Sequence, residues 1–374
     1  MKNIKFYDLP AHNKIYTEKF IKDFKIINSS GKFLIGNYVK KFEKNFSKYC
    51  QSKFAIGVGN CLDAIKLSFM ALKIMGYLKD GDEVLVPANT YIASILGIIG
   101  ANLKPVLVEP NLNTFNLDSK DLIKKINFKT KAILVVDLYG HPSDLNGIKK
   151  ISKKYNLKVV HDAAQSLGGS IGEKRIGSYF DTTCFSFFPG KNLGAFGDAG
   201  AITTNNKKIY KILLSLRNYG EVPFENLANR KYINNYKGVN SRLDELQASI
   251  LVNKLKFFSK NQKKREQIAT YYLQNIKNPK IILPYIRKNF NHSWHLFVIK
   301  CKFRNKLRRY LLKNKIETMI HYPKPAYNQP ALKEYNKKKF PITNKIYSEI
   351  LSLPIFPTLK IKEIKYITKI LNKF

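Results

Sequence analysis

The segment best suited to chemistry runs Thr182-Thr-Cys-Phe-Ser-Phe-Phe-Pro-Gly-Lys-Asn-Leu-Gly-Ala-Phe-Gly-Asp-Ala-Gly-Ala-Ile-Thr-Thr204. Two apolar runs flank a glycine-rich loop with Lys191 at its tip. Among 66 basic residues a lysine carries no information by identity; its surroundings do. Pro189-Gly190, Gly194, Gly197 and Gly200 permit close backbone approach. The neighbouring Phe185, Phe187 and Phe188 are expected to desolvate the ammonium, lower its pKa and leave an amine able to attack an aldehyde. Ser186 offers a hydroxyl to a phosphate.

Two further motifs bear on the same chemistry. In Val160-His-Asp-Ala-Ala-Gln-Ser-Leu-Gly-Gly169, Asp162 ends an apolar strand, where a carboxylate is costly to bury without a positive partner. A protonated ring nitrogen is one such partner, with Gln165 reaching a neighbouring ring oxygen; a helix cap over Ala163 onward is the plainer reading. In Gly57-Val-Gly-Asn-Cys-Leu-Asp-Ala-Ile65 a short strand ends in glycines before a helix. Free N–H groups in a first helical turn bind phosphate, although such a turn equally serves as a simple connection. It is neither a P-loop nor a spaced dinucleotide fingerprint.

These residues need a scaffold, and the chain spells one. Asp82-Glu-Val-Leu-Val-Pro87, Pro105-Val-Leu-Val-Glu109, Ala132-Ile-Leu-Val-Val-Asp137 and Leu157-Lys-Val-Val-His-Asp162 read as buried strands. Helical stretches such as 118–126 and 144–155 separate them. The alternation predicts an α/β domain with a mostly parallel sheet, whose chemistry gathers at the carboxyl ends of the strands. Asn89, Thr90, Glu109, Asp137, Asp162 and Gln165 all fall there. A long helix over 243–276 carries the chain into a small α+β domain with a strand at 295–300, a helix at 306–314 and a strand at 315–321. We place a large domain at 1–254 and a small C-terminal one at 255–374.

Composition narrows the partners. The net charge of +40 comes mostly from lysines spread along the chain, with few arginines. A dedicated reader of nucleic acid uses arginine forks, so a solvated basic surface is the reading, and no nucleic-acid partner is expected. Such a field still speeds the arrival of an anionic substrate. The apolar stretch 84–108 is interrupted by Pro87, Asn89, Asn102 and Pro105 and is not a membrane span. The N-terminus has no apolar signal core. Cys50, Cys61, Cys184 and Cys301 are scattered without a CxxC pair, which fits reduced thiols in a cytoplasmic protein and no metal site.

Taken together, Asp162-Ala-Ala-Gln165, Ser186-Phe-Phe-Pro-Gly-Lys191 and Gly197-Asp-Ala-Gly-Ala-Ile202 resemble the DegT/DnrJ/EryC1/StrS family of nucleotide-sugar aminotransferases. Phe33-Leu-Ile-Gly36, Pro87-Ala-Asn-Thr-Tyr91, Gly238-Val-Asn-Ser-Arg-Leu-Asp-Glu-Leu-Gln247 and His321-Tyr-Pro323 match in order, so the resemblance runs nearly end to end. It implies the fold-type I aminotransferase architecture and pyridoxal 5'-phosphate as cofactor. Lys191 would bond to the cofactor and shuttle a proton, and Asp162 would pair its ring nitrogen. Gln165 would approach the ring oxygen and Tyr91 would stack on the ring. The backbone of Cys61 and Leu62, with Ser186, would hold the phosphate. Asn240 from a partner subunit would complete that site, which implies a homodimer; a helix cap is the plainer role for Asn240. Many relatives have Gly or Thr where Cys61 stands.

Related dehydratases carry histidine in place of the lysine, so Lys191 points to transamination. The resemblance implies L-glutamate as amino donor and a nucleotide-linked keto-sugar as acceptor. The segment 238–247 looks more like enzymes acting at C3 of dTDP-3-keto-6-deoxyhexoses than like the 4-aminotransferases. Arg217, His321 and Tyr322 are candidates for contacts to sugar or diphosphate, with a surface ion pair as the plainer role for Arg217 and domain-junction packing for the other two. A UDP-linked 4-aminotransferase and a non-catalytic basic binding protein on the same fold are the rival expectations.

Overall fold

The computed structural model describes residues 3–222, 233–335 and 339–374. Its centre is a seven-stranded sheet of β1 (Phe54–Val58), β2 (Glu83–Pro87), β3 (Lys104–Val108), β4 (Thr130–Val136), β5 (Lys158–Asp162), β6 (Thr182–Ser186) and β7 (Gly200–Thr204), in the order β1-β7-β6-β5-β4-β2-β3. Strands β3, β2, β4, β5 and β6 run parallel, whereas β7 runs antiparallel to both its neighbours. Burial on both faces explains the near-continuous apolar runs in the parallel strands.

Alternate side chains enter different cores. Val84, Val86, Leu134, Val160 and Ile202 pack beneath α3 (Cys61–Ile74), α4 (Ile92–Ile99) and α7 (Lys207–Leu216). Leu85, Ile133, Val135, Val159 and Phe185 face α2 (Asn37–Tyr49), α6 (Leu145–Lys154) and α8 (Glu245–Lys256) on the other side. Helix α1 (Thr17–Ser30) precedes them and α5 (Ser119–Lys124) follows β3. Asparagine or aspartate side chains cap several starts, including Asn60 before α3, Asp118 before α5, Asp144 before α6, Asn206 before α7 and Asp244 before α8;.

The C-terminal part holds α9 (Phe258–Asn275), β8 (Phe297–Lys300), α10 (Arg304–Lys313), α11 (Pro341–Glu349), β9 (Ile350–Leu353) and α12 (Ile361–Asn372). Ile268, Tyr272, Phe297, Ile299, Leu351 and Ile367 form its core together with Ile4. Val298, Ile346 and Ile350 instead join the core of the large sheet, so the two parts interlock.

Two expectations are corrected. The single helix over 243–276 is two helices meeting at Phe257, because the chain leaves helical dihedrals there. The segment 315–321 is not a strand; it makes only isolated bridges, Ile316 to Ile4 and Met319 to Ser352. No described helix is long and apolar enough to cross a membrane.

Candidate active site

The residues singled out converge at the carboxyl edge of the sheet. Asp162 closes β5, Ser186 closes β6, Tyr91 follows β2, and Asn60 leads from β1 into α3. Lys191 sits in the β6–β7 hairpin loop, whose ends are pinned by Phe187 N–H to Ala199 O (2.8 Å) and Ala195 N–H to Phe187 O (2.7 Å). Lys191 lines a narrow recess with Ala164, Gln165, Leu167, Ser186, Asn192, Leu193 and His295.

Asp162 is buried. Ser94 Oγ donates to its Oδ2 at 2.7 Å and Ala164 N–H to its Oδ1 at 3.1 Å, with the Cys61 thiol 3.9 Å away. None of these partners is a cation. Burial accordingly raises its pKa, against the hydrogen bonds from Ser94 and Ala164 and the nearby Lys191 charge. Burial likewise lowers the Lys191 pKa, opposed by Cys61 and Asp162. A buried carboxylate and a buried amine, each destabilised in its charged form, therefore lie close enough to feel one another's charge. That is the environment a protonated ring nitrogen and a carbonyl carbon would relieve. No helix follows Asp162, so the capping role does not apply.

The start of α3 supplies the anion cradle. The Asn60 side chain accepts from Asp63 N–H at 2.8 Å, and Ala64 N–H bonds Asn60 O. Cys61 and Leu62, at the first two helical positions, have N–H groups with no helical acceptor. Gly200 lies against this turn: a Cβ there would come within 2.5 Å of the Asn60 carbonyl carbon and 3.0 Å of Cys61 N. Ser241 Oγ accepts from Gly59 N–H (3.0 Å) and donates to Asp63 (2.7 Å), which stiffens the turn. The donors, the buried carboxylate and the amine suit a phosphorylated pyridine aldehyde.

Gln165 is held at both ends. Its Oε1 accepts from Tyr139 N–H at 2.6 Å and its Nε2 donates to Tyr322 Oη at 2.9 Å. Tyr322 also lies 4.9 Å, ring to ring, from Tyr91, which is half exposed. The structure thus brings Tyr322 to the Gln165 side of the site. His321 accepts or shares a hydrogen bond with Ser352 Oγ at 2.9 Å, and burial, followed by the Lys191 charge, lowers its pKa to about 4. It is a neutral imidazole at neutral pH.

Other sequence expectations fail or shift. Arg217 is buried, not a surface residue or an open contact for substrate. It pairs with Glu43 at 2.5 Å and donates to Gly57 O at 2.9 Å, stapling α7 to the strand before the cradle. Phe185 and Phe187 do not wall Lys191; they pack edge-on against Phe46 and Phe42 in the opposite core, and Phe188 is exposed. Asn240 is exposed, and the N-cap of α8 is Asp244 instead. Sequence reasoning missed Ser94 and His295. Ser94 carried a signal, being three residues after Tyr91 in a new helix; His295 carried none, because its place depends on the two parts of the chain meeting. Among the described residues no group of His, Cys, Asp and Glu is arranged for a metal, and all four cysteines are free and buried.

Comparison with known proteins identifies the family. Residues 14–372 match the model of the DegT/DnrJ/EryC1/StrS aminotransferase family. The chain is 46% identical over 371 residues, 99% of each protein, to a dTDP-3-amino-3,6-dideoxy-alpha-D-galactopyranose transaminase of Aneurinibacillus thermoaerophilus. It is 37% identical to a dTDP-3-amino-3,4,6-trideoxy-alpha-D-glucose transaminase of Streptomyces venezuelae, covering 88% of this chain and 85% of that protein. Among solved structures, S. venezuelae DesV in complex with a ketimine intermediate superposes with a TM-score of 0.93 at 34% identity, over 100% of this chain and 98% of that one. Bacillus subtilis NtdA with bound cofactor PMP gives 0.90 at 31% identity, covering 99% and 85%.

Proposed function

The chain belongs to the DegT/DnrJ/EryC1/StrS aminotransferase family, and from that premise we propose that it moves an amino group from L-glutamate to C3 of a dTDP-3-keto-6-deoxyhexose. It is a pyridoxal-phosphate-dependent nucleotide-sugar aminotransferase. The observation that carries the site reading is the buried Lys191 amine lying within electrostatic reach of the buried Asp162 carboxylate, beside the Cys61 turn that opens α3. The two dTDP-3-amino-sugar transaminases among its relatives support the C3 assignment.

The cofactor, when bound, supplies the electron sink that lets a proton leave the carbon bearing nitrogen. The residues divide the remaining work. Asp162, fixed by Ser94, would keep a proton on the ring nitrogen. The Cys61 and Leu62 N–H groups, with Ser186, would hold the phosphate. Tyr91 would cover the ring and Gln165 would approach its oxygen. Lys191, its ammonium form disfavoured by burial, would hold the cofactor and serve as the base that moves a proton;. His321 and Tyr322 would partner a sugar hydroxyl in this reading, which the Tyr322–Gln165 hydrogen bond and the Tyr322–Tyr91 ring contact support.

The active unit is a homodimer in this reading. Asn240 is exposed although its neighbour Ser241 reaches the cradle, and Phe33 and Leu34, bonded to the chain at Glu245 and Asp244, leave apolar surface open. Asn240 would serve the phosphate of the partner's site.

Supplying glutamate with a panel of keto-sugar nucleotides, then locating the new C–N bond by NMR, tests the proposal. Amine at C4 of a UDP-sugar would overturn the C3 assignment. Lys191→Ala should lose the visible cofactor absorbance; retention of a covalently held chromophore would overturn the role of Lys191.

A further inference from the structure

Lys254 lies two turns after Gln247 on α8, and both side chains face the loop that carries Lys191;. Lys254 is 3% exposed, and its pairing is unusual for a lysine so deeply buried;. Among the described residues it pairs with no carboxylate. Its Nζ donates to Gly194 O at 2.6 Å and to Asn13 Oδ1 at 2.7 Å, between the rings of Phe196 (4.7 Å) and Tyr16 (5.4 Å). Gln247 Oε1 accepts from Phe196 N–H at 2.8 Å, two residues further along the same loop. One helix thus takes a carbonyl and an N–H from the return limb of the hairpin loop.

That limb has little slack. A Cβ at Gly194 would fall 2.2 Å from Pro189 O, so the outgoing and return limbs touch. The Lys191 N–H turns back to Phe188 O at 2.8 Å, and Asn192 Nδ2 donates to Ser293 O at 2.8 Å. Displacement of Gly194 would therefore pass directly to Lys191, three residues earlier. Burial without an anionic partner lowers the Lys254 pKa to about 7. A lysine kept at such cost to its charge serves here as a long donor to a carbonyl, not as a counter-ion.

We infer that Lys254, with Gln247, is a positioning residue that fixes the Gly194–Phe196 limb and so sets where the Lys191 amine sits. The inference rests on Lys191 being the cofactor lysine. Lys254 itself does not line the recess around Lys191.

The test compares wild type, Lys254→Met, Lys254→Arg and Gln247→Met. In the cofactor-free protein, competitive labelling with acetic anhydride and peptide mapping gives the titration midpoint of Lys191. In the holoenzyme, kcat and KM are measured for both substrates. Lys254→Met should raise the Lys191 midpoint by about half a pH unit or more as water enters the recess. It should lower kcat about tenfold with KM within about twofold, as expected for a misplaced reacting group. Lys254→Arg, which keeps a donor, should recover part of both, and Gln247→Met should move both in the same direction by less. A lower melting temperature with wild-type Lys191 midpoint and kcat would overturn the inference. If Lys254→Met does not fold, Gln247→Met decides: an unchanged midpoint overturns it. A covalently held chromophore retained in Lys191→Ala would instead defeat the underlying assignment.

Discussion

Replacing Asp162 with asparagine should make the cofactor-free protein more stable while crippling the enzyme. The carboxylate is buried with only neutral partners, Ser94 Oγ at 2.7 Å and Ala164 N–H at 3.1 Å. Stripping water from such a group costs several kcal/mol. Two hydrogen bonds to a charge return about 1.5–3 kcal/mol each. The raised pKa means that the desolvation cost outweighs this return; asparagine has nearly the same shape and no ionic penalty, for an expected gain of about 1–2 kcal/mol. For a chain of this length that is a rise of about 1–3 °C in Tm. The sign follows from the raised pKa. The wild-type penalty is absent in acid, where folded and unfolded forms are both protonated, and it grows as pH rises through the folded-state pKa;. The advantage of Asp162→Asn should therefore appear near pH 7 and vanish in acid. In the holoenzyme the same change removes a charge opposite the ring nitrogen. At about 4 Å and an effective dielectric of about 20 this is worth up to about 4 kcal/mol, or 10²–10³-fold in turnover. Differential scanning fluorimetry of the cofactor-free protein across pH, paired with a glutamate half-reaction, reads both effects. A lower Tm for the cofactor-free variant at neutral pH, or turnover within about threefold of wild type, would refute the reasoning.

Arg217→Met should cost about 3 kcal/mol by stranding Glu43, yet leave KM for the sugar nucleotide unchanged; denaturation and steady-state kinetics separate the two;. Glu109→Gln should lower the urea midpoint by an amount equivalent to about 2 kcal/mol. Its carboxylate accepts from Ile342 N–H, Thr343 N–H and Thr343 Oγ at the positive end of α11, and the amide both loses charge and presents a donor to donors;. Gly200→Ala should weaken cofactor binding about tenfold, measured by fluorescence titration, because the added methyl displaces the Asn60–Cys61 turn;.

The parts of the site that lie close together in sequence were legible there. Asp162 at the end of an apolar run and Lys191 within a glycine-rich loop announce themselves through strand burial and backbone permissiveness. Cys61 and Leu62 follow from a strand, glycines and a helix start. Positions fixed by distant partners were not legible. Arg217 finds Glu43 across 174 positions, and no local pattern marks that ion pair. Phe185 and Phe187 flank Ser186 in sequence but turn to the opposite core, because successive strand residues alternate faces;. The segment 315–321 has strand composition but pairs only through single bridges with Ile4 and Ser352, both set by packing of the C-terminal part. His295 joins the recess only because that part docks on the sheet.

The hairpin that carries Lys191 also governs how the molecule breathes. Its two stems, β6 and β7, are bonded to each other from Thr183–Thr203 to Ser186–Gly200, and β7 is bonded again to β1. A loop hung from an edge can swing out alone, but this one opens widely only if the central ladder unzips. Its slowest exchanging amides should therefore share the opening free energy of the sheet, while the exposed Tyr91 side of the site fluctuates independently. Substrate would then enter past a mobile aromatic wall towards an amine anchored in the most slowly opening part of the protein.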